Sequence, residues 1–350
     1  MKLIVQIPCL NEEETLPQTV ADIPRHIPGL ELVEILIVDD GSTDRTVEIA
    51  REIGVDHIVR HRNTKGLARA FRTGIDACLR RGADIIVNTD GDNQYCGADI
   101  PRLIEPILRG EADIVVGDRQ TDGVLHFSAF KKMLQRYGSA AVRRFSRTTV
   151  PDAVSGFRAI SREAALHLNI VSPFSYTIEM LIQAGRKRMA VTSVPIGTND
   201  KTRESRLFTS IPRFVERSLT TMVRMYSMYR PLKVFFSIGL LITLLGMLPV
   251  ARFLYFYIAG DGTGHIQSLV LGGALLVIGF VTFMIGLVAD LIGFNRQLLE
   301  ITLEKVRRIE LEMGILEDGE AVPDGRVVRR ESRVPASQQP GSAATLPDKG

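Results

Sequence analysis

The chain has 350 residues, 45% hydrophobic and 24% charged, with 43 Lys and Arg against 40 Asp and Glu. That length holds one large catalytic domain with a membrane part, or two soluble domains, and a formal net charge of +3 gives nucleic-acid binding no bulk support. The 3 cysteines, Cys9, Cys78 and Cys96, share no metal-ligand spacing and leave an odd count, which reads as reduced thiols in a reducing compartment.

Short apolar runs alternate with helical patterns through about residue 210. The first run, Leu3–Ile7, reads as a strand, without the basic flank, long apolar stretch and cleavage site of a signal peptide. Asn11 with Glu14 resembles a capping box opening a helix that carries Leu16, Val20 and Ile23 on one face. A strand is expected at Val33–Val38, then a helix capped by Ser42 or Thr43 and running through Ile53, then a strand at His57–Val59. Gly66 to Arg81 reads as a third helix, with Leu67, Ala70, Phe71, Gly74 and Cys78 on one side. Further strands are expected at Ile85–Asn88, Ile114–Gly117, Val154–Ile160 and Ala190–Val194. Their uninterrupted apolar character suits a sheet buried on both faces, and the alternating order predicts an α/β fold with a mostly parallel sheet.

In such sheets ligands bind beyond the carboxyl ends of the strands. Polar and acidic residues gather there: Pro8-Cys9-Leu10-Asn11-Glu12-Glu13, Asp39-Asp40-Gly41-Ser42-Thr43-Asp44, Thr89-Asp90-Gly91-Asp92-Asn93-Gln94 and Gly117-Asp118-Arg119. Asp-Asp-Gly-Ser taken alone is also a common turn. Asp90 and Asp92, two residues apart at the end of a buried strand, repel unless something positive joins them. A hard divalent cation, Mg2+ or Mn2+, does so with oxygen ligands, and Gln94 adds a carbonyl oxygen at the same alternate spacing. The basic residues Lys131, Lys132, Arg136, Arg158, Lys201, Arg203 and Arg206 follow. Each suits a phosphate or the anionic surface of a membrane. The 6 histidines form no triad and no zinc spacing with the cysteines, so no chemistry is assigned to them.

Beyond residue 210, Ile211, Phe214, Val215, Leu219, Met222 and Met225 fall at helical spacing among basic residues, the pattern of a helix lying on a membrane surface. Val234–Ala251 and Ser268–Ala289 carry no charge, and about 20 apolar residues cross a bilayer core. The cluster Phe253, Tyr255, Phe256 and Tyr257 beside Arg252 suits the interface, and Pro249 is expected to kink or end the first span. Lys and Arg flank both spans and are missing from the loop around Gly260–Gly264, which puts both termini and the catalytic domain on the cytoplasmic side. Leu291, Leu298, Ile301, Leu303 and Val306 continue the second helix outward, to pack on the soluble part or on a partner subunit. From about Glu317 the chain reads as disordered.

PCLNEE, VDDGSTD, NTKGLARA, NTDGDNQY, GDR and SGFRAISREA, in that order, resemble glycosyltransferase family 2, and within it the dolichyl- and polyprenyl-phosphate hexose synthases. The resemblance covers about residues 1–210 and implies a Rossmann-like GT-A fold. It implies that Pro8, Asn11, Glu12, Asp39 and Asp40 line a nucleoside pocket, with Lys65 beside the nucleotide, and that Asp90, Asp92 and Gln94 hold the metal on a diphosphate. Arg119 matches the family's basic residue after the fifth strand. Catalysis is expected to involve Asp92, Arg119 and Asp152, the last orienting the acceptor or acting as a base. Lys132, Arg158, Arg203 and Arg206 are expected on the lipid phosphate. The implied partners are a nucleoside-diphosphate hexose, a polyprenyl phosphate and membrane lipids, with a homo-oligomer left open.

The chain thus divides into a glycosyltransferase domain (1–210), an amphipathic surface helix (211–231), transmembrane helices (232–258 and 266–290), a cytoplasmic helix (291–316) and a tail (317–350). The expected reaction is inverting hexose transfer to polyprenyl phosphate. Two other readings stand beside it: transfer to a glycan or glycolipid, and a scaffold that keeps the fold without turnover. The absence of Trp argues against the family's processive polymerases, whose further motif ends in Arg-Trp. Intact Asp90 and Asp92 argue against the scaffold.

Overall fold

A computed structural model describes residues 1–120, 143, 146, 148–171, 176–199, 220, 230–260 and 265–313. One 7-stranded sheet contains β1 (Lys2–Cys9), β2 (Leu32–Asp39), β3 (His57–Arg60), β4 (Ile85–Asn88), β5 (Ile114–Asp118), β6 (Arg158–Ser161) and β7 (Val191–Pro195). Their spatial order is β3-β2-β1-β4-β6-β5-β7. Neighbours run parallel except β6, which is antiparallel to β4 and β5. That reversal brings the start of β6 to the carboxyl edge, where Arg158 pairs with Asn88.

Helices cover both faces, so the strands bury alternate residues on both sides. Leu3, Val5 and Ile7 of β1 pack with α1 (Leu16–Ala21), α2 (Thr46–Glu52) and α4 (Ile100–Leu108), in a core that includes Leu16, Val20, Ala50, Ile100, Leu103 and Ile104. Ile4, on the opposite face, packs with α3 (Leu67–Arg80), α5 (Arg162–His167) and α6 (Tyr176–Arg186), through Phe71, Ile75, Ala165, Tyr176 and Leu181.

Three local expectations change. The first helix begins at Leu16, because Asn11 adopts a left-handed backbone (φ 56°) and its side chain reaches another strand end instead of capping. The second begins at Thr46, whose N–H donates to Asp44 Oδ1 at 3.0 Å, while Ser42 and Thr43 tie strand ends together. Ser155-Gly156-Phe157 forms a loop before β6 rather than its first half.

The C-terminal part contains α7 (Pro231–Ile258) and α8 (Ile266–Glu312), both long and apolar enough to cross a membrane. Pro249 lies inside α7 and does not end it. The residues these helices bury are glycines, Gly239 and Gly246 against Gly272, Gly279 and Gly286, together with Pro231. A Cβ on Gly239 would sit 3.0 Å from Gly279 O, and one on Gly246 would sit 3.2 Å from Gly272 O. The backbones therefore touch, and the large side chains point outward. Only 11% of each apolar window is buried, whereas a core hairpin of a soluble domain would be mostly buried. The second span and the helix beyond it form one unbroken element of 47 residues.

Candidate active site

The carboxyl edge is built from the ends of β1, β2, β4 and β5 and the start of β6. Asn11 joins the first two. Its backbone N–H donates to Ser42 Oγ (2.9 Å) and its Oδ1 accepts from Thr43 N (2.9 Å). Pro8 lies within β1, opposite Val38. Asp39 is fully buried. Its Oδ1 accepts from Ser42 N at 3.0 Å, and its Oδ2 lies 3.0 Å from Arg60 Nε without forming an aligned hydrogen bond. A buried carboxylate oxygen with such spare capacity suits a ligand hydroxyl or base N–H.

Asp40, expected to line the nucleoside pocket, holds the loop after β3. Its Oδ1 accepts from Lys65 N (2.9 Å) and contacts His61 Nδ1 (2.7 Å), and its Oδ2 accepts from Gly66 N (2.8 Å). Buried His61 reaches on to Thr73 Oγ1 at 3.0 Å. The pair thus staples the loop 63–66 to the sheet edge, leaving the Lys65 side chain exposed. Gly41 completes the seat: at φ 84°, a Cβ there would meet Thr64 N at 3.0 Å. His61 carried no legible signal in the sequence, since its partner is 21 residues away.

The Asp90–Gln94 segment is anchored from two sides. Gly91 O accepts from Thr15 Oγ1 (2.7 Å) and Thr19 Oγ1 (3.2 Å). Thr15 Oγ1 also lies 3.1 Å from Glu12 Oε2, which places buried Glu12 beside the segment. Asn199 clamps the other side, donating from Nδ2 to Asn93 O and from its backbone N–H to Gln94 O, both at 3.0 Å. Asn93 takes a left-handed backbone (φ 53°), and Gln94 N donates to Asp92 Oδ1 (3.2 Å). Thr15, Thr19 and Asn199 were not singled out in the sequence.

Asp90 is partly buried, and its carboxyl is pushed up to about 7, by burial first and then by the charge of Asp92. Arg119 pulls the other way. Gly156 supplies the wall: a Cβ there would lie 3.1 Å from both Asp90 carboxylate oxygens and 3.0 Å from Tyr176 Oη. Gly156 is itself fixed, its N–H donating to Tyr95 Oη (2.9 Å) and its carbonyl accepting from Asn88 Nδ2 (2.8 Å). Two carboxylates held together at this cost fit a divalent cation, which would satisfy both.

Arg119 faces this pair. Its Nε donates to Asp152 Oδ2 (2.7 Å) and its Nη2 to Asp152 Oδ1 (3.1 Å). Burial works against the Arg119 charge, but Tyr95, Asp152 and Asp90 outweigh it and hold the guanidinium more firmly protonated. Both carboxylate oxygens of Asp152 thus lie on the guanidinium, an arrangement that can orient Arg119.

Arg158, expected on the lipid phosphate, sits among backbone carbonyls. It is fully buried, donating from Nε to Ser155 O, from Nη1 to Thr177 O and from Nη2 to Ala153 O, each at 2.8 Å. Burial draws it down to about 10, so it keeps its charge at neutral pH while tying β6 to α6 and the 153–155 loop. Lys132, Arg203 and Arg206 lie outside the described residues, as do Lys131, Arg136, Lys201, nearly all of the surface helix 211–231 and the tail 317–350.

A sequence profile described as Glycosyl transferase family 2 matches residues 4–168. A polyprenol monophosphomannose synthase of Mycolicibacterium smegmatis is 30% identical over 206 residues, 56% of this chain and 76% of that protein. The chain belongs to glycosyltransferase family 2. An undecaprenyl-phosphate mannosyltransferase of Micrococcus luteus is 29% identical over 207 residues, 56% of this chain and 83% of that protein. The crystal structure of glucosyl-3-phosphoglycerate synthase from Mycobacterium tuberculosis with phosphoglyceric acid has a TM-score of 0.51 at 25% identity, over 63% of this chain and 79% of that one. The same synthase with Mn2+, uridine diphosphate and phosphoglyceric acid has a TM-score of 0.50 at 23% identity, over 63% and 78%, a likeness in fold alone. This family 2 enzyme therefore has a GT-A-like, mostly parallel sheet, followed by two candidate membrane helices.

Proposed function

We propose that this enzyme transfers a hexose from a nucleoside diphosphate to a polyprenyl phosphate at a membrane. The observation that carries the reading is the Asp90–Asp92 pair, held on a rigid edge opposite the Arg119–Asp152 fork. The names of the relatives from Mycolicibacterium and Micrococcus support the acceptor class and make mannose the first sugar to test. The outward-facing apolar side chains of α7 and α8 support an anchor in lipid, and the charged flanks support a cytoplasmic catalytic domain.

Asp39, with Asn11, Pro8 and Glu12 around it, binds the nucleoside, and Lys65 reaches the nucleotide from its stapled loop. Asp90, Asp92 and Gln94 would hold Mg2+ or Mn2+, which would supply Lewis-acid neutralisation of the diphosphate leaving group. Arg119, aimed by Asp152, stabilises negative charge developing on the phosphate oxygens. The acceptor, a phosphate monoester with a second pKa near about 6, is mostly ionised at neutral pH and attacks the anomeric carbon without a strong base. Attack opposite the leaving group inverts the anomeric configuration. Lys132, Arg203 and Arg206 are the proposed contacts to the lipid phosphate.

The test uses purified full-length protein with Mg2+ or Mn2+, polyprenyl phosphate, and GDP-mannose, UDP-glucose or UDP-N-acetylglucosamine. The expected product is a lipid-phosphate hexose with inverted configuration. No lipid product from any donor would overturn the reading.

A further inference from the structure

The part of α8 beyond the apolar span does not hang free. One face of it meets the catalytic domain. Glu300 lies 3.8 Å from Lys187 Nζ, and Glu304 Oε2 lies 2.6 Å from His167 Nδ1. Arg307 donates to Leu168 O (3.0 Å) and pairs with Asp76 (3.2 Å). Arg308 pairs with Glu163, and Leu311 packs against the core under α3, α5 and α6. Positions 300, 304, 307, 308 and 311 recur at the helical period, so this is one stripe of the helix. On the domain side, Lys187 also donates to His167 O at 2.6 Å, joining the α5 and α6 ends that receive the stripe.

The stripe is charged. Of the apolar residues expected to continue the helix, Leu291, Leu298, Ile301 and Val306 are exposed and Leu303 is half-buried. Glu163, His167 and Glu304 bring ligand atoms within 4.8 Å of one another, a grouping able to suit a cation. Arg308 stands on this cluster, pairing with Glu163 and lying 3.5 Å from Glu304, so the positive charge there is already supplied by protein. The cluster is a seam between two parts of the chain.

We propose that this charged stripe makes α8 a brace that sets the orientation of the active site over the membrane. Helix α8 is continuous from its apolar span to Glu312, so whatever fixes the span fixes the docked domain. The orientation governs use of an acceptor held in the bilayer and leaves the soluble donor site unaffected. This consequence rests on the proposed lipid acceptor; the docking itself does not. Single exposed ion pairs are weak in water, so the seam acts as a network and is disrupted only by several changes together.

The wild-type protein in phospholipid vesicles is treated with a zero-length carbodiimide, and the Lys187–Glu300 crosslink is sought by peptide mass. The combined variant Glu304→Arg, Arg307→Ala, Arg308→Glu is then assayed in vesicles containing polyprenyl phosphate. The expected result is a crosslink in the wild type and its loss in the variant. Lipid transfer by the variant falls about tenfold or more, as misplacement of a reacting group does. Its nucleotide-sugar Kd stays within about twofold. Adding Glu163→Arg and His167→Glu, which re-pairs the reversed charges, restores transfer. An absent wild-type crosslink, full transfer by the variant, or an equal loss of donor binding would overturn the brace. A wild type that crosslinks but glycosylates no lipid would instead overturn the acceptor reading and leave the docking in place.

Discussion

Arg119 grips Asp152 through two contacts, Nε to Oδ2 at 2.7 Å and Nη2 to Oδ1 at 3.1 Å, and under the proposed function this fork makes Asp152 the residue that aims the Arg119 guanidinium. Removing one charge from such a fork leaves the geometry unspecified rather than the chemistry absent. Asp152→Asn is expected to lower kcat by about 10²-fold, the scale of a lost electrostatic contact in the transition state. The acidic limb of the kcat/KM profile is expected to keep its position. Loss of that limb in Asp152→Asn would instead identify Asp152 as the base.

The Asp90 carboxyl provides a pH test of the metal assignment. Its pKa is raised from an ordinary 3.8 to about 7, chiefly by burial and then by Asp92. A carboxyl with a raised folded-state pKa binds protons more tightly when folded, so without cation its ionisation costs stability increasingly as pH rises from about 4 to about 7. In chelator, Asp90→Asn is therefore expected to unfold at a higher temperature than wild type at pH 8, and at the same temperature as wild type at pH 4, where the carboxyl is protonated. Mn2+ is expected to raise the wild-type midpoint at pH 8 and to leave Asp90→Asn unmoved. Calorimetry in both conditions checks this. Turnover by Asp90→Asn or Asp92→Ala at the wild-type rate would remove the assignment.

Gly156 is required by proximity rather than by backbone freedom. A methyl group there would stand 3.1 Å from both Asp90 oxygens, tighter than side chains normally approach. Gly156→Ala is expected to weaken divalent-cation binding about tenfold or more by displacing that carboxylate, since ligand geometry must hold to within about 0.5 Å. Circular dichroism is expected to stay native. Isothermal titration with Mn2+ and nucleotide measures the effect, and unchanged affinity would contradict it.

His61 holds the 63–66 loop through Asp40 and touches no proposed substrate atom. His61→Ala is expected to raise KM for the nucleotide sugar several-fold with a smaller change in kcat, because a loosened loop costs donor binding before it costs chemistry. Steady-state kinetics separate the two. A fall in kcat alone would assign His61 to the reacting centre.

The sheet was legible because both-face burial forces apolar runs in β1, β2, β4 and β5, and because Asp90-Gly91-Asp92 closes one of them. The antiparallel direction of β6 was not legible: four residues, Arg-Ala-Ile-Ser, read alike in either direction. The partners of Arg158 were not legible for a related reason. A basic residue beside a glycine-containing loop reads as a phosphate ligand, and the sequence does not show that two carbonyls of the preceding loop and one of α6 take up its guanidinium. Asn199 and His61 depend on partners far along the chain, and no local period reports such pairs. The unbroken α8 was half legible: apolar residues recurring among charges from Leu291 to Val306 announced its continuation, but the docking face did not show, because its charged residues meet partners far back along the chain.

Helix α8, unbroken over 47 residues, has one further consequence. A rod gripped by lipid at one end and by protein at the other is a lever. Helices tilt to match the thickness of the bilayer around them, and at 1.5 Å per residue the arm from Ala289 to Leu311 is about 33 Å, so a 10° change of tilt sweeps its tip by about 6 Å. If α8 is the proposed brace, bilayer thickness becomes an input to how high the catalytic edge rides above the headgroups, and turnover is expected to depend on lipid composition.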